Sequence, residues 1–180
     1  MHVLLAPGAS GGVASLRPHV DGLRARGVPA SAIDLPLRRA ELAVPLYLAR
    51  LVAQAEPPSQ LVAAGRSYGG RVASLSAAAE PAACAGLICF SYPLHASGSP
   101  AWRDRSAHWP AIRVPVLFLS GQSDPFARLD LLERAIGERL PTARLVTYPR
   151  VGHSLRSVLD DALDQAAAFI AELGRSGPHS

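Results

Sequence analysis

The chain contains no lysine, so arginine supplies all 18 of its Lys and Arg positions, and the net charge of +4 rests on guanidinium groups alone. Those arginines are scattered and largely alternate with Asp and Glu. That pattern reads as a solvated surface rather than a stripe for binding nucleic acid. Without lysine there is no Walker-type phosphate loop, and no Gly-x-Gly-x-x-Gly run is present either. The two cysteines, Cys84 and Cys89, are too few for a disulfide framework or a four-ligand zinc site. Cys89 lies in an apolar run and reads as an inert core residue. No apolar run approaches the length needed to cross a bilayer. The first residues, Met1 to Pro7, lack a basic region and enter a strand-like run at once, which argues against a signal peptide and for a cytoplasmic setting.

What is present suits one globular domain. The 180 residues are 49% apolar and 18% charged, enough to bury a substantial core. We expect a single domain over residues 1–174 and a flexible tail over 175–180. Short apolar runs are expected as strands at residues 2–6, 30–34, 61–64, 86–91, 115–120 and 144–148. Several lack alternation, as strands covered by helices on both faces do. Helical spacing fills the gaps. Pro45 is expected to open a helix that carries Leu48, Leu51, Val52 and Ala55 on one face. Leu129, Leu132, Ile136 and Leu140 keep a helical period until Pro141. A last stripe, Leu159, Leu163, Ala166, Ile170 and Leu173, is expected to close at Gly174. The sum is a three-layer α/β/α sandwich of about six mostly parallel strands. Residues 92–112 break the rhythm with three prolines, two tryptophans and two histidines. They would leave the sheet at the carboxyl end of a strand, where open α/β sheets bind ligands.

One local motif carries chemistry. Gly65-Arg66-Ser67-Tyr68-Gly69 follows an apolar strand and opens a helix, the arrangement that exposes a serine hydroxyl on a tight turn. With 15 glycines and 17 serines in the chain, Gly-x-Ser-x-Gly arises by chance in roughly one such chain in ten, so context must decide. A serine needs a base to take its proton, and the base needs a third group to orient it. Asp124 follows a strand and a glycine turn, and His153 lies in the loop after the next strand. Ser67, Asp124 and His153 thus stand in the order such a site requires. Each has a plainer reading: Asp124-Pro125 also suits a helix N-cap, His153 an ordinary loop histidine, and Ser67 a turn residue. His95 and His108 as bases, and Asp34 as acid, fit the chain order less well. An oxyanion would need donors. The N–H groups of Tyr68 and of Ala9, in the glycine-rich loop after the first strand, are the candidates. Tyr92, His95, Trp102 and Trp109 are expected to line a substrate pocket. Arg66 and Arg71 read as solvated helix-face cations, with binding of an acidic substrate as the alternative.

Three separated stretches resemble the α/β-hydrolase superfamily, in a branch of small hydrolases allied to dienelactone-hydrolase-like proteins. They are Gly65-Arg-Ser-Tyr-Gly-Gly-Arg71, Tyr92-Pro-Leu-His95 and Gly121-Gln-Ser-Asp-Pro-Phe126. The resemblance implies nucleophile Ser67, acid Asp124 and base His153, with no metal or organic cofactor. The motifs are much less specific for a reaction than for the branch. The expected substrate is a small ester or thioester, and the scattered arginines and short apolar runs argue against a nucleic-acid or membrane partner. The resemblance also places Met1 at the superfamily's third strand, without the antiparallel strands that usually lead the sheet. Pro7-Gly8 stands where the family has His-Gly in its oxyanion loop. Serine at the elbow, where dienelactone hydrolases carry cysteine, argues against that activity. The rival expectation is a hydrolase-fold binding or scaffold protein with little turnover.

Overall fold

A computed structural model describes residues 1–36, 39–54 and 56–176. Six strands form one sheet: β1 (His2–Ala6), β2 (Ala30–Ala32), β3 (Leu61–Arg66), β4 (Gly86–Phe90), β5 (Val116–Gly121) and β6 (Arg144–Tyr148). The order is β2-β1-β3-β4-β5-β6, and every neighbouring pair is parallel. Among the described residues α1 (Arg17–Ala25), α2 (Ala40–Val52), α3 (Tyr68–Ala79) and α4 (Leu129–Arg139) lie between strands, and α5 (Leu159–Ser176) follows β6.

Alternation along each strand divides the core into two layers. Leu4, Ala63, Leu87 and Phe118 face α2, α3 and α4; Val3, Val62, Ile88 and Leu117 face α1 and α5. Both faces are therefore apolar, which is why the strands read as near-continuous hydrophobic runs. The result is the expected three-layer sandwich. Chain order reverses at β1, whose neighbours lead in opposite directions across the sheet, so a crevice opens at the carboxyl ends of β1 and β3.

Several expected boundaries move. The strand expected over residues 30–34 ends at Ala32, because Asp34 turns away to accept the Val13 N–H at 2.7 Å. Pro45 does not open α2; it lies inside a helix that begins at Ala40. The buried side of α2 is Ala40, Ala43, Tyr47 and Leu51, whereas Val52 is exposed. Ala55 lies outside the described residues. Tyr47 explains the face. Its hydroxyl donates to the Leu4 carbonyl on β1 at 2.8 Å and accepts the Ala64 N–H of β3 at 2.9 Å, bridging two strands from within the core. At the other end α5 runs through Gly174 and takes in Arg175 and Ser176. Residues 177–180 of the expected tail lie outside the described residues.

Some of the arginines pair with carboxylates. Arg26 binds Asp160 and Asp164, Arg144 binds Glu172, and Arg134 binds Glu138. Among the described residues no helix is long and apolar enough to cross a membrane.

Candidate active site

β3 ends at Arg66, and Ser67 holds φ 51° and ψ −117° before α3 begins at Tyr68. Positive φ in a serine is strained, and such strain persists only where surroundings over-determine it. Here the two flanking glycines do so. A Cβ on Gly65 would collide with the Gly69 carbonyl, and a Cβ on Gly69 would collide with the Ala6 carbonyl at the end of β1. The turn is thus pressed against both its own helix and the first strand. The Ser67 N–H donates to the Phe90 carbonyl at 2.8 Å, which ties the elbow to β4.

Asp124 and His153 come from the next two strands. Asp124 follows β5 and His153 follows β6. Their loops interlock backbone to backbone: the Gln122 N–H donates to the Tyr148 carbonyl at 3.0 Å and the Ser123 N–H to the Val151 carbonyl at 2.9 Å. Gly121 makes this possible, because a Cβ there would strike the carbonyls of Val151 and Gly152.

The three side chains meet. His153 Nδ1 lies 2.7 Å from Asp124 Oδ2, and its Nε2 lies 2.8 Å from Ser67 Oγ. A carboxylate only accepts, so Nδ1 carries the proton and Nε2 is free to accept from the serine hydroxyl. The Asp124 side chain is fully buried, and its other oxygen accepts the Phe126 N–H at 2.8 Å. The capping reading of Asp124 is overturned, since α4 starts only at Leu129. The Phe126 ring packs edge-on to the imidazole at 4.8 Å between centroids and fixes its plane. Phe126 belongs to the acid-turn motif but was not among the expected site residues.

The rival bases and acid are engaged elsewhere. Buried His95 accepts the Arg128 N–H at Nε2, 3.0 Å, and its Nδ1 lies 2.8 Å from the Ala96 carbonyl, a pair of partners that fixes the neutral Nδ1–H form. His108 Nε2 is 2.8 Å from Ser74 Oγ. Asp34 receives Val13.

A cleft of about 640 Å³ opens over Ser67, with Ala9, Tyr68 and His153 on its walls. Tyr68 opens α3, where the positive end of the helix dipole favours negative charge. None of the four expected pocket residues lines this cleft. Tyr92, Trp102, Trp109 and His95 are all buried in the core. Tyr92 and Trp109 pack against Phe118 with ring centroids 5.8 and 5.0 Å away. Trp102 is covered by the guanidinium of Arg103 at 4.6 Å. The 92–112 excursion still reaches the cleft, through Pro93, Ala96, Ser97 and Arg105. Arg66 and Arg71 also line it, as does Glu41. Arg71 is not a solvated cation: its side chain is only 18% exposed, and Nη2 binds Glu41 at 2.6 Å.

Comparison with known proteins agrees with this architecture. Residues 36–171 match a model of the alpha/beta hydrolase domain. A monoacylglycerol lipase from Paleococcus ferrophilus superposes with a TM-score of 0.82 at 13% identity, over 96% of this chain and 94% of that one. A thermophilic esterase from the Planctomycetes species Thermogutta terrifontis, solved with propionate bound, gives 0.73 at 21% identity, over 99% of this chain and 85% of that one. A thioesterase domain from the curacin biosynthetic pathway gives 0.70 at 17% identity, over 94% and 90%.

Proposed function

Because the chain belongs to the alpha/beta hydrolase domain family, we propose that it is a serine hydrolase that cleaves a small ester or thioester through an acyl-enzyme. The observation that carries this reading is the unbroken relay from Ser67 Oγ through the His153 ring to Asp124, with both links under 3 Å. His153 Nε2 takes the Ser67 proton as Oγ attacks the substrate carbonyl. Asp124 holds the imidazole in the tautomer that can accept and stabilises the imidazolium that forms. The oxyanion is received by the N–H groups of Tyr68 and Ala9. His153 then returns its proton to the departing alcohol or thiol. Water, activated by the same imidazole, releases the acid and restores Ser67. The strained elbow supports the assignment, since non-glycine residues at positive φ cluster at functional sites. A cytoplasmic setting is part of the same reading.

The test is covalent labelling with a fluorophosphonate probe, followed by a panel of short and medium acyl esters and thioesters. Labelling should vanish in Ser67→Ala and fall sharply in His153→Ala. Folded wild-type protein that takes up no probe would instead make this a binding or scaffold module on a hydrolase fold.

A further inference from the structure

The Ser67 cleft has an unbalanced wall. Among its described residues, four guanidinium groups (Arg39, Arg66, Arg71 and Arg105) face one carboxylate, Glu41. That carboxylate is already engaged by Arg71 at 2.6 Å and by Arg39 at 4.0 Å. Neither Arg66 nor Arg105 has an acidic partner among the described residues.

One of the two unmatched cations is anchored, and the other stands close to the serine. Arg105 is partly buried, and its Nη1 donates to the carbonyls of Pro93 and His95 at 3.0 and 3.2 Å. One arm of its planar fork is thereby anchored, leaving Nε and Nη2 without a protein acceptor among the described residues. Arg66 is half-buried beside the nucleophile. A Cβ added to Gly8 would touch Ser67 Cβ at 3.5 Å and Arg66 Nη1 at 3.6 Å, so the guanidinium sits across one small gap from the serine. Burial, and next to it the Arg71 charge, pushes the Arg105 pKa below the usual arginine range. A guanidinium that has lost water in this way gains when an anion arrives.

We propose that this cleft selects acyl substrates bearing an anionic group, a carboxylate or phosphate, gripped by Arg66 and Arg105 while Ser67 meets the carbonyl. This deepens the serine-hydrolase reading and rests on it. Guanidinium forks match the paired oxygens of both anions. The uncharged walls, Pro93, Ala96 and Phe126, would take the carbon chain between the two ends.

The experiment compares kcat/KM for the 4-nitrophenyl monoester of glutarate with that for neutral 4-nitrophenyl pentanoate. Wild type should prefer the charged ester at least tenfold, mostly through KM. The ratio should collapse toward one in Arg105→Met and Arg66→Met, and high salt should shrink it in wild type. Arg105→Lys, which keeps a donor for the Pro93 and His95 carbonyls, guards against a simple folding defect and should recover part of the preference. Calorimetry of monomethyl glutarate on Ser67→Ala reads the same site without turnover; the binding should weaken tenfold or more in the Arg105→Met background. Competition by glutarate against inorganic phosphate identifies the preferred anion. A probe-reactive wild type with a ratio at or below one overturns the anion site and leaves the hydrolase reading standing. Absent probe labelling with intact, arginine-dependent glutarate binding does the reverse.

Discussion

Single residues set the chemistry, and their replacement should separate it from folding. Asp124→Asn keeps volume and most contacts but lets the imidazole take the wrong tautomer. Activity should fall roughly 10³- to 10⁴-fold with little change in melting temperature, checked by steady-state kinetics beside calorimetry. Tyr47→Phe tests the reverse case. It leaves the Ala64 N–H and the Leu4 carbonyl buried without their phenolic partner, which should cost about 1–3 kcal/mol in urea unfolding. The catalytic candidates were legible because each stands just past a strand, in an order that one mechanism demands. Phe126 and Arg105 were not. A ring that steadies a histidine, and an arginine pinned by two carbonyls, have no signature in spacing; both depend on loops that meet only after folding. The four aromatic and histidine residues placed in the pocket failed for the same reason. Composition shows that the side chains of Tyr92 and Trp109 are large and apolar, but only the neighbouring Phe118 decides that they point inward.

At the level of elements, apolar runs located all six strands, and their lack of alternation correctly implied helices on both faces. Helix ends were harder to read. α2 begins five residues before Pro45, since the spacing of Ala40, Ala43, Tyr47 and Leu51 carries the period and alanine is a weak marker of a buried face. The 92–112 excursion behaves as core as much as wall. Trp109→Ala should cost about 3–5 kcal/mol by emptying the space between Tyr92 and Phe118. Trp109→Phe should cost far less, because it keeps an aromatic ring packed against Tyr92 and Phe118. Equal losses for the two variants, read from denaturant midpoints, would contradict that packing. Gly121→Ala drives a methyl into the His153 loop. It should destabilise by roughly 1–3 kcal/mol and reduce probe labelling of Ser67 more than that loss of stability explains.

Across the whole molecule, acid should loosen the fold through two histidines outside the relay. Burial, and then the Arg66 charge, lowers the His19 pKa to about 4; burial, and then the Arg71 charge, takes His108 to about 4 as well. Once unfolded, both return to about 6.5. Below that value the unfolded chain binds more protons than the native one, so stability drops as pH falls from about 6.5 to about 4 and levels off, for these groups, beneath it. The loss is at most about 3 kcal/mol for each. Urea midpoints at pH 7 and pH 4.5 measure it, and replacing both histidines with glutamine in one protein should flatten the dependence. Heat should act on a different seam. The loops after β5 and β6 are laced together on adjacent strands, whereas the serine hangs from β3 with β4 in between. Warming should therefore part the hydroxyl from its imidazole while the imidazole keeps its carboxylate, so that a molecule already silent toward the probe would still show the far-downfield proton resonance of that surviving couple.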